Sequence, residues 1–537
     1  VILKLAGILT VSGGTNAVVE YFGPGTSSLS TTGKATITNM GAELGATTSI
    51  FPFDARACTF LAATERDELA KLAMRYSHLL KADEEVEENP GKYFDRIIEI
   101  DLSSLEPHIV GPHTPDLARP ISEMAAAVQV EGYPDQLMAA LIGSCTNSSY
   151  EDVSRAADVA RQAAGHGLKA ASDLLVSPGS EAVHATIQRD NQMADLEDAG
   201  ATVLANACGP CIGQWRRPVE KGTINSIITS FNRNFPARND ANPSTMSFIA
   251  SPEIVMALGI AGRLSFNPMT DSLRGSDGVE FKLNPPAVAP EVPADGYAGR
   301  GFGYEPPVED GANINVSVDP QSSRLQVLQP FTPWDGEDFD ELRVLVKAQG
   351  KCTTDHISPA GPWLRFRGHL DKLSDNAFLG AVNAFTGEAG IGLNQLTGER
   401  APFPSNARAY KQAGHSWVAI GDFNYGEGSS REHAAMSPRL LGCKAVIVRS
   451  FARIHETNLK KQGILPFTFA DSDDYERILE ADTISITGLN ELAPGKPVKA
   501  SINHFEGGSE EIELTHTLSE EQIQWFKAGA ALNILGQ

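Results

Sequence analysis

Three cysteines open the chemistry of this chain. Cys145 sits in Leu141-Ile-Gly-Ser-Cys-Thr-Asn-Ser-Ser-Tyr150, and Cys208 and Cys211 sit in Ala205-Asn-Ala-Cys-Gly-Pro-Cys-Ile-Gly213. Each group follows a short apolar run that reads as a buried strand. Three thiolates can hold three corners of a cubane iron–sulfur cluster. The fourth iron, left without a protein ligand, can then act as a Lewis acid. A Cys-x-x-Cys pair by itself also fits a redox couple, half of a zinc site or two small buried hydrophobes. No second such pair is present, and spacing alone leaves these readings open.

Other residues could bind or move charge. Arg233 and Arg238 lie in Asn232-Arg-Asn-Phe-Pro-Ala-Arg-Asn239, just after an apolar run at 224–230. A guanidinium grips a carboxylate through two hydrogen bonds, which lysine cannot do; the plain alternative is two surface arginines. A predicted strand at 416–421 is followed by the glycine-rich Tyr425-Gly-Glu-Gly-Ser-Ser-Arg431 and a helix through about Leu440. A turn of this kind aims backbone N–H groups at an anion and can stabilise an oxyanion or a serine alkoxide. The plain alternative is a pair of N-cap serines. Asp355, His356 and Ser358 form a third group, for which structural hydrogen bonding is the commoner role. Asn39 and Glu43 are four apart, so one helix face can carry both. Cys58, Cys352 and Cys443 read as small core residues.

The chain must position these groups. Its 537 residues allow roughly three or four domains. Residues 1–105 mix predicted strands at 3–11 and 17–21 with helices starting within 36–46 and spanning 64–76. Residues 106–283 alternate strand and helix. Strands are expected at 137–143, 201–206 and 224–230. Asn147 or Ser148 should cap a helix that runs to about Ala164 and stops at Gly165. This alternation predicts a multidomain α/β fold with parallel sheets and crossover helices. Ligands in such sheets gather at the carboxyl ends of strands, where all three cysteines fall. Residues 284–333 carry Pro285, Pro286, Pro290, Pro293 and further prolines, and read as a semi-extended linker. It leads to a swivelling α/β domain at 334–537, free to swing over the cysteine domain as a lid.

Charge narrows the partners. The 44 Lys+Arg against 67 Asp+Glu give −23, a poor default for binding nucleic acid or an anionic membrane. A polyanionic substrate would need its own local arginines. Six cysteines do not make a disulfide scaffold, and a reducing compartment is expected. No run of 18 apolar residues is present.

Five segments in order resemble the aconitase family. They are Gly143-Ser-Cys-Thr-Asn-Ser-Ser149, Ala207-Cys-Gly-Pro-Cys-Ile-Gly213, Thr229-Ser-Phe-Asn-Arg-Asn-Phe235, Gly350-Lys-Cys-Thr-Thr-Asp-His-Ile-Ser358 and Asn424-Tyr-Gly-Glu-Gly-Ser-Ser-Arg-Glu-His-Ala434. The resemblance runs from residue 1 to near the C-terminus. The word at 361–370 is similar to the family's mitochondrial branch rather than its cytosolic one. What this implies is an aconitate hydratase of the tricarboxylic acid cycle in the mitochondrial matrix. Such a hydro-lyase interconverts citrate and isocitrate through cis-aconitate on a 4Fe–4S cluster with one open iron. The resemblance implies Cys145, Cys208 and Cys211 as cluster ligands and Ser429 as the base. It assigns Arg233, Arg238, Arg367, Ser430 and Arg431 to the substrate. Asn39, Glu43, Asn232, Asp355 and Ser358 are implied neighbours of the site, with Asp355 expected to orient Arg367 or a nearby serine. Arg365 is expected to be structural or solvent-facing.

The chain starts at Val1 in an apolar run and reads as beginning in mid-domain. The family carries a further N-terminal domain, with any targeting segment beyond it. That domain supplies the catalytic acid, an Asp-His pair, and a histidine partner for Glu43. Residues 1–537 alone are therefore expected to lack hydratase activity, with Glu43 left facing an absent partner. A monomer acting on small tricarboxylates, with no membrane and no nucleic acid, is the expectation. The runners-up are a homoaconitate or isopropylmalate hydro-lyase, whose arginine and serine loops differ, and a regulator that binds RNA once its cluster is lost.

Overall fold

The computed structural model of the protein describes residues 1–11, 13–15, 17–143, 145–298, 305–429 and 431–535. They fall into two compact units, Val1–Glu309 and Asp310–Gln537.

In the first unit, the strand expected at 3–11 is instead a helix, Ile2–Leu9. Its buried residues are Ile2, Leu5, Ala6 and Leu9, a three-four spacing that marks one face of a helix. The nearly continuous apolar run concealed that period. The strand Val18–Glu20 pairs in parallel with Thr48–Ile50. The helix expected to start within 36–46 begins earlier, as Thr31–Asn39, because Ser30 caps it by accepting from the Gly33 N–H. A tighter turn, Met40–Leu44, continues it. The helix expected at 64–76 is Asp67–Arg75, and a further helix, Ala55–Ala63, precedes it. Between the two, Glu65 takes a left-handed φ of 61°.

The body of the unit is a seven-stranded sheet. In chain order its strands are β1 (His108–Val110), β2 (Ala118–Pro120), β3 (Leu137–Ile142), β4 (Asp173–Val176), β5 (Thr202–Val203), β6 (Asn225–Thr229) and β7 (Thr245–Ile249). Their spatial order is β2-β1-β7-β6-β3-β4-β5. The run from β7 to β5 is parallel, while β1 pairs antiparallel with β7 and with β2. Strand β6 is buried at every position, as expected for a central strand covered on both faces. Helices Tyr150–Gly165 and Pro252–Ala261 pack in the same apolar core as the sheet, through Val153, Ala157, Val255 and Leu258.

The cap of helix Tyr150–Gly165 is Ser149, not Asn147 or Ser148. Its hydroxyl accepts from the Asp152 N–H, and Asp152 accepts from the Ser149 N–H, a closed capping box. Asn147 and Ser148 are committed elsewhere. Asn147 donates to the Ser230 carbonyl at 3.2 Å and Ser148 to the Ser177 carbonyl at 2.9 Å. They tie the Cys145 loop to neighbouring strand ends.

The second unit contains a closed barrel, which alternation alone did not foretell. Its strands are β8 (Phe339–Lys347), β9 (Trp417–Gly421), β10 (Cys443–Val448), β11 (Leu465–Phe469), β12 (Thr483–Thr487), β13 (Val498–Asn503) and β14 (Ser509–Thr515). They close in the order β8-β9-β10-β11-β14-β13-β12. Strands β8 to β11 are parallel and the remaining pairings antiparallel. Val418, Ile447, Leu465 and Ile502 help fill the interior core. Trp417, Tyr410 and Phe403 form a second core with Ala434 and Leu459 of the helices His433–Leu440 and Arg453–Lys461. Residues 284–298 and 305–333 hold neither helix nor strand, apart from an isolated bridge between Leu325 and Gly368. Among the described residues no helix is long and apolar enough to cross a membrane.

Candidate functional site

The carboxyl ends of the parallel strands in the first unit carry the cysteines and arginines. Cys145 follows β3, the Cys208–Cys211 turn follows β5, and Arg233 and Arg238 follow β6. At Gly143, φ is 144°, and a Cβ there would lie 2.7 Å from the Ser177 carbonyl oxygen. Only glycine lets the Cys145 loop leave β3 this closely. Cys145 and Cys208 are exposed and Cys211 is buried.

The Cys208–Cys211 segment is a tight turn. The Cys211 N–H donates to the Cys208 carbonyl at 2.7 Å, and Gly213, with φ 83°, ends the turn Gly209–Ile212. The arginine segment clamps it from outside. Arg238 Nε donates to the Cys211 carbonyl at 2.8 Å, and Asn239 Nδ2 to the Pro210 carbonyl at 3.1 Å.

Burial pushes the Cys211 thiol up. The charges of Arg238 and Arg233 pull it back, while Cys208 and Cys145 push it further. The Cys211 thiol thus feels the two other cysteines and both arginines. Among the described residues no three His, Cys, Asp or Glu side chains converge on one ion-sized point. Two loops that bring three thiols to one end of the sheet suit a cluster whose cysteines each hold a different iron.

Asn39 and Glu43 reach this region on different elements rather than on one helix face. Asn39 is the last residue of helix Thr31–Asn39 and accepts from Thr146 Oγ1 at 2.9 Å, beside Cys145. Glu43 lies in the following turn. Glu43 is not without a partner. Asn232 Nδ2 donates to Oε1 at 3.1 Å, Arg233 Nε donates to Oε2 at 3.1 Å, and Arg233 Nη2 lies 2.9 Å from Oε1. Burial pushes the Glu43 carboxyl up, and the Arg233 charge is the main force pulling it back. Sequence could not foresee this pairing, because the partners are far apart in the chain and match no local pattern. A cavity of about 410 Å³ opens beside Cys145, lined by Thr32, Phe60, Thr146, Ser180 and Tyr297 among others.

In the second unit the motifs at 350–358 and 424–431 meet. Gly426 N donates to the Cys352 carbonyl at 2.8 Å, Thr354 N to the Glu427 carbonyl at 2.9 Å, and Thr354 Oγ1 to the Ser429 carbonyl at 2.7 Å. Helix His433–Leu440 takes Glu432 as its N-cap. Ser429 lies ahead of that cap. Ser430 lies outside the described residues. Arg431 Nη2 lies 2.6 Å from Asp355 Oδ1, and Arg431 Nη1 donates to the Ser358 carbonyl at 2.8 Å. Asp355 therefore orients Arg431: pairing of the two motifs brings Asp355 to the residue just beyond the turn. The Ser358 hydroxyl is buried and meets Asn376 Oδ1 at 3.4 Å. Arg367 and Arg365 are exposed. The Arg367 carbonyl receives His433 Nε2 at 3.0 Å. His356 closes its own helix cap, accepting from Thr353 N at 3.2 Å.

One supporting residue escaped sequence reading. His455, in helix Arg453–Lys461, lies under the glycine-rich turn. A Cβ on Gly426, where φ is 83°, would come within 2.3 Å of its ring. No motif marks His455.

The chain matches the profile of the aconitase family (aconitate hydratase) over residues 1–262 and that of the aconitase C-terminal domain over residues 342–472. It is 57% identical over 537 residues to a probable mitochondrial aconitate hydratase of Dictyostelium discoideum, covering 100% of this chain and 69% of that protein. It is 57% identical over 534 residues to a mitochondrial aconitate hydratase of Gracilaria gracilis, covering 99% and 68%. A probable mitochondrial aconitate hydratase of Caenorhabditis elegans is 54% identical over 534 residues, covering 99% and 67%.

Proposed function

Because the chain belongs to the aconitase family, we propose that it is a mitochondrial aconitate hydratase, interconverting citrate and isocitrate through cis-aconitate. The observation that carries this reading is the placement of Cys145, Cys208, Cys211, Arg233 and Arg238 after the carboxyl ends of parallel strands, with Arg238 and Asn239 bonded to the cysteine turn.

Cys145, Cys208 and Cys211 would hold a 4Fe–4S cluster, which when bound supplies a Lewis-acidic iron to the substrate hydroxyl and a carboxylate. The remaining chemistry belongs to side chains. Arg233 and Arg238 anchor substrate carboxylates. Nε of Arg238 serves the Cys211 carbonyl, which ties its guanidinium to the cysteine turn. Asn39 and Asn232 keep the Cys145 loop and Glu43 in place through their hydrogen bonds. Ser429 accepts the proton alpha to a carboxylate. A serine is a feeble base on its own, and its alkoxide needs nearby positive charge. Arg431 supplies it, held by Asp355 and the Ser358 carbonyl. The family resemblance assigns Arg367 and Ser430 to the substrate as well.

The test is to rebuild the cluster anaerobically in the full-length protein and follow hydration of cis-aconitate beside cis-homoaconitate and isopropylmaleate. Cluster-dependent turnover with preference for cis-aconitate is expected. A preference for either competitor would replace this reading.

A further inference from the structure

Between Val203 and Asn225 the chain is irregular except for the cysteine turn, yet it must hold two thiols in register. A loop of that kind needs anchors beyond its own backbone. The segment after β6 provides them. Arg217, six residues past Cys211, donates through Nη1 to Asp240 Oδ2 at 3.0 Å and to Asn225 Oδ1 at 2.9 Å. The two side chains are only 4% and 3% exposed, and the guanidinium carbon sits 4.9 Å from the Trp215 ring centroid. Asp240 also accepts from Thr245 Oγ1 at 2.8 Å and from the Asn242 N–H at 3.0 Å. Next to Asp240, the buried Asn239 donates to the Pro210 carbonyl between the two cysteines. Beyond it, Asn242 accepts from the Gly222 N–H and donates to the Thr223 carbonyl.

We infer that Asn239 and the Arg217–Asp240 pair are positioning residues for the iron–sulfur cluster. They form a clasp that fixes the Cys208–Cys211 turn against the segment carrying Arg233 and Arg238. None of the three contributes a ligand. Asn239 acts on the backbone between the two thiols, and the buried ion pair locks both segments to β6. Residues that orient a ligand rather than bind the metal commonly change metal affinity about 10–100-fold when removed. The inference rests on the reading of Cys145, Cys208 and Cys211 as ligands.

The test compares wild type, Asn239→Ala, Arg217→Lys and the double variant Arg217→Met with Asp240→Asn. The double change avoids stranding one buried charge, which could unfold the protein. Each protein is reconstituted with ferrous iron and sulfide. Cluster loss to a chelator is followed by visible absorbance, and the fold of the cluster-free protein by circular dichroism and thermal midpoint. Asn239→Ala and the double variant should lose the cluster about tenfold faster at a near wild-type thermal midpoint. Arg217→Lys, which keeps the charge, should fall between. Loss at the wild-type rate overturns the clasp. So does faster loss in step with a falling midpoint, since that is general loosening. A wild-type protein that takes up no cluster overturns the ligand reading and the clasp with it.

Discussion

Arg233 grips Glu43 with two arms of its guanidinium, Nε to Oε2 at 3.1 Å and Nη2 to Oε1 at 2.9 Å. The Glu43 side chain is 3% exposed, so the pair joins the turn Met40–Leu44 to the segment after β6 out of water. Removing one partner of such a pair leaves an uncompensated buried charge. Glu43→Ala should therefore destabilise the protein by about 3–5 kcal/mol. Glu43→Gln keeps the shape and one acceptor, and should cost about 1.5–3 kcal/mol. Denaturant unfolding of the two variants orders them. Equal and small losses would mean that the fork contributes nothing to the fold.

Replacing Cys145, Cys208 or Cys211 by Ser should remove both the cluster absorbance and hydratase activity. A hard oxygen holds iron–sulfur cores poorly. Cys443 is wholly buried, burial pushes its thiol far up, and its Sγ lies 3.3 Å from the Ala445 carbonyl. It is a core residue of the second unit, so Cys443→Ser should leave absorbance and activity in place. A full cluster in Cys208→Ser would take Cys208 out of the ligand set.

What was legible in the sequence was local. The cysteine words and the glycine-rich turn carry their spacing with them, and strands β3, β6 and β9 were visible as apolar runs. Register and partnership were not legible. Asn147, Ser148 and Ser149 all precede helix Tyr150–Gly165; Asn147 and Ser148 bond to the Ser230 and Ser177 carbonyls, and Ser149 is the cap. Helix Ile2–Leu9 has the sequence of a strand, because an almost wholly apolar run shows no period. Barrel closure depends on β8 pairing with both β9 and β12, strands remote in sequence, and no local pattern records that.

Ser429→Ala should lower turnover about a hundredfold or more while leaving citrate affinity nearly unchanged, since a base acts in the transition state. Thr354 still holds the residue's carbonyl, so the loop should keep its shape. Affinity can be read from the change citrate makes in the cluster's spectrum. Equal losses in affinity and turnover would reduce Ser429 to a substrate contact.

The last prediction concerns pH and the support beneath that loop. His455 is 1% exposed, and burial pulls its pKa down from 6.5 to about 4. Its Nδ1 makes no hydrogen bond among the described residues, and its ring packs on Gly426 and Tyr425. The folded state keeps this histidine neutral, whereas the unfolded chain binds a proton below pH 6.5. Between pH 6.5 and 4 the unfolded state therefore holds more protons, and stability falls as pH falls. His455 should account for about 2 kcal/mol of that loss by pH 5 and on the order of 3 kcal/mol by pH 4. His455→Phe keeps a flat ring against Gly426 and cannot titrate. Its unfolding free energy should lack this part of the acid slope, and at pH 5 it should exceed wild type relative to their values at pH 7.5. Parallel slopes for the two proteins, measured by urea unfolding at both pH values, would show that His455 is protonated in the fold or is not buried as described.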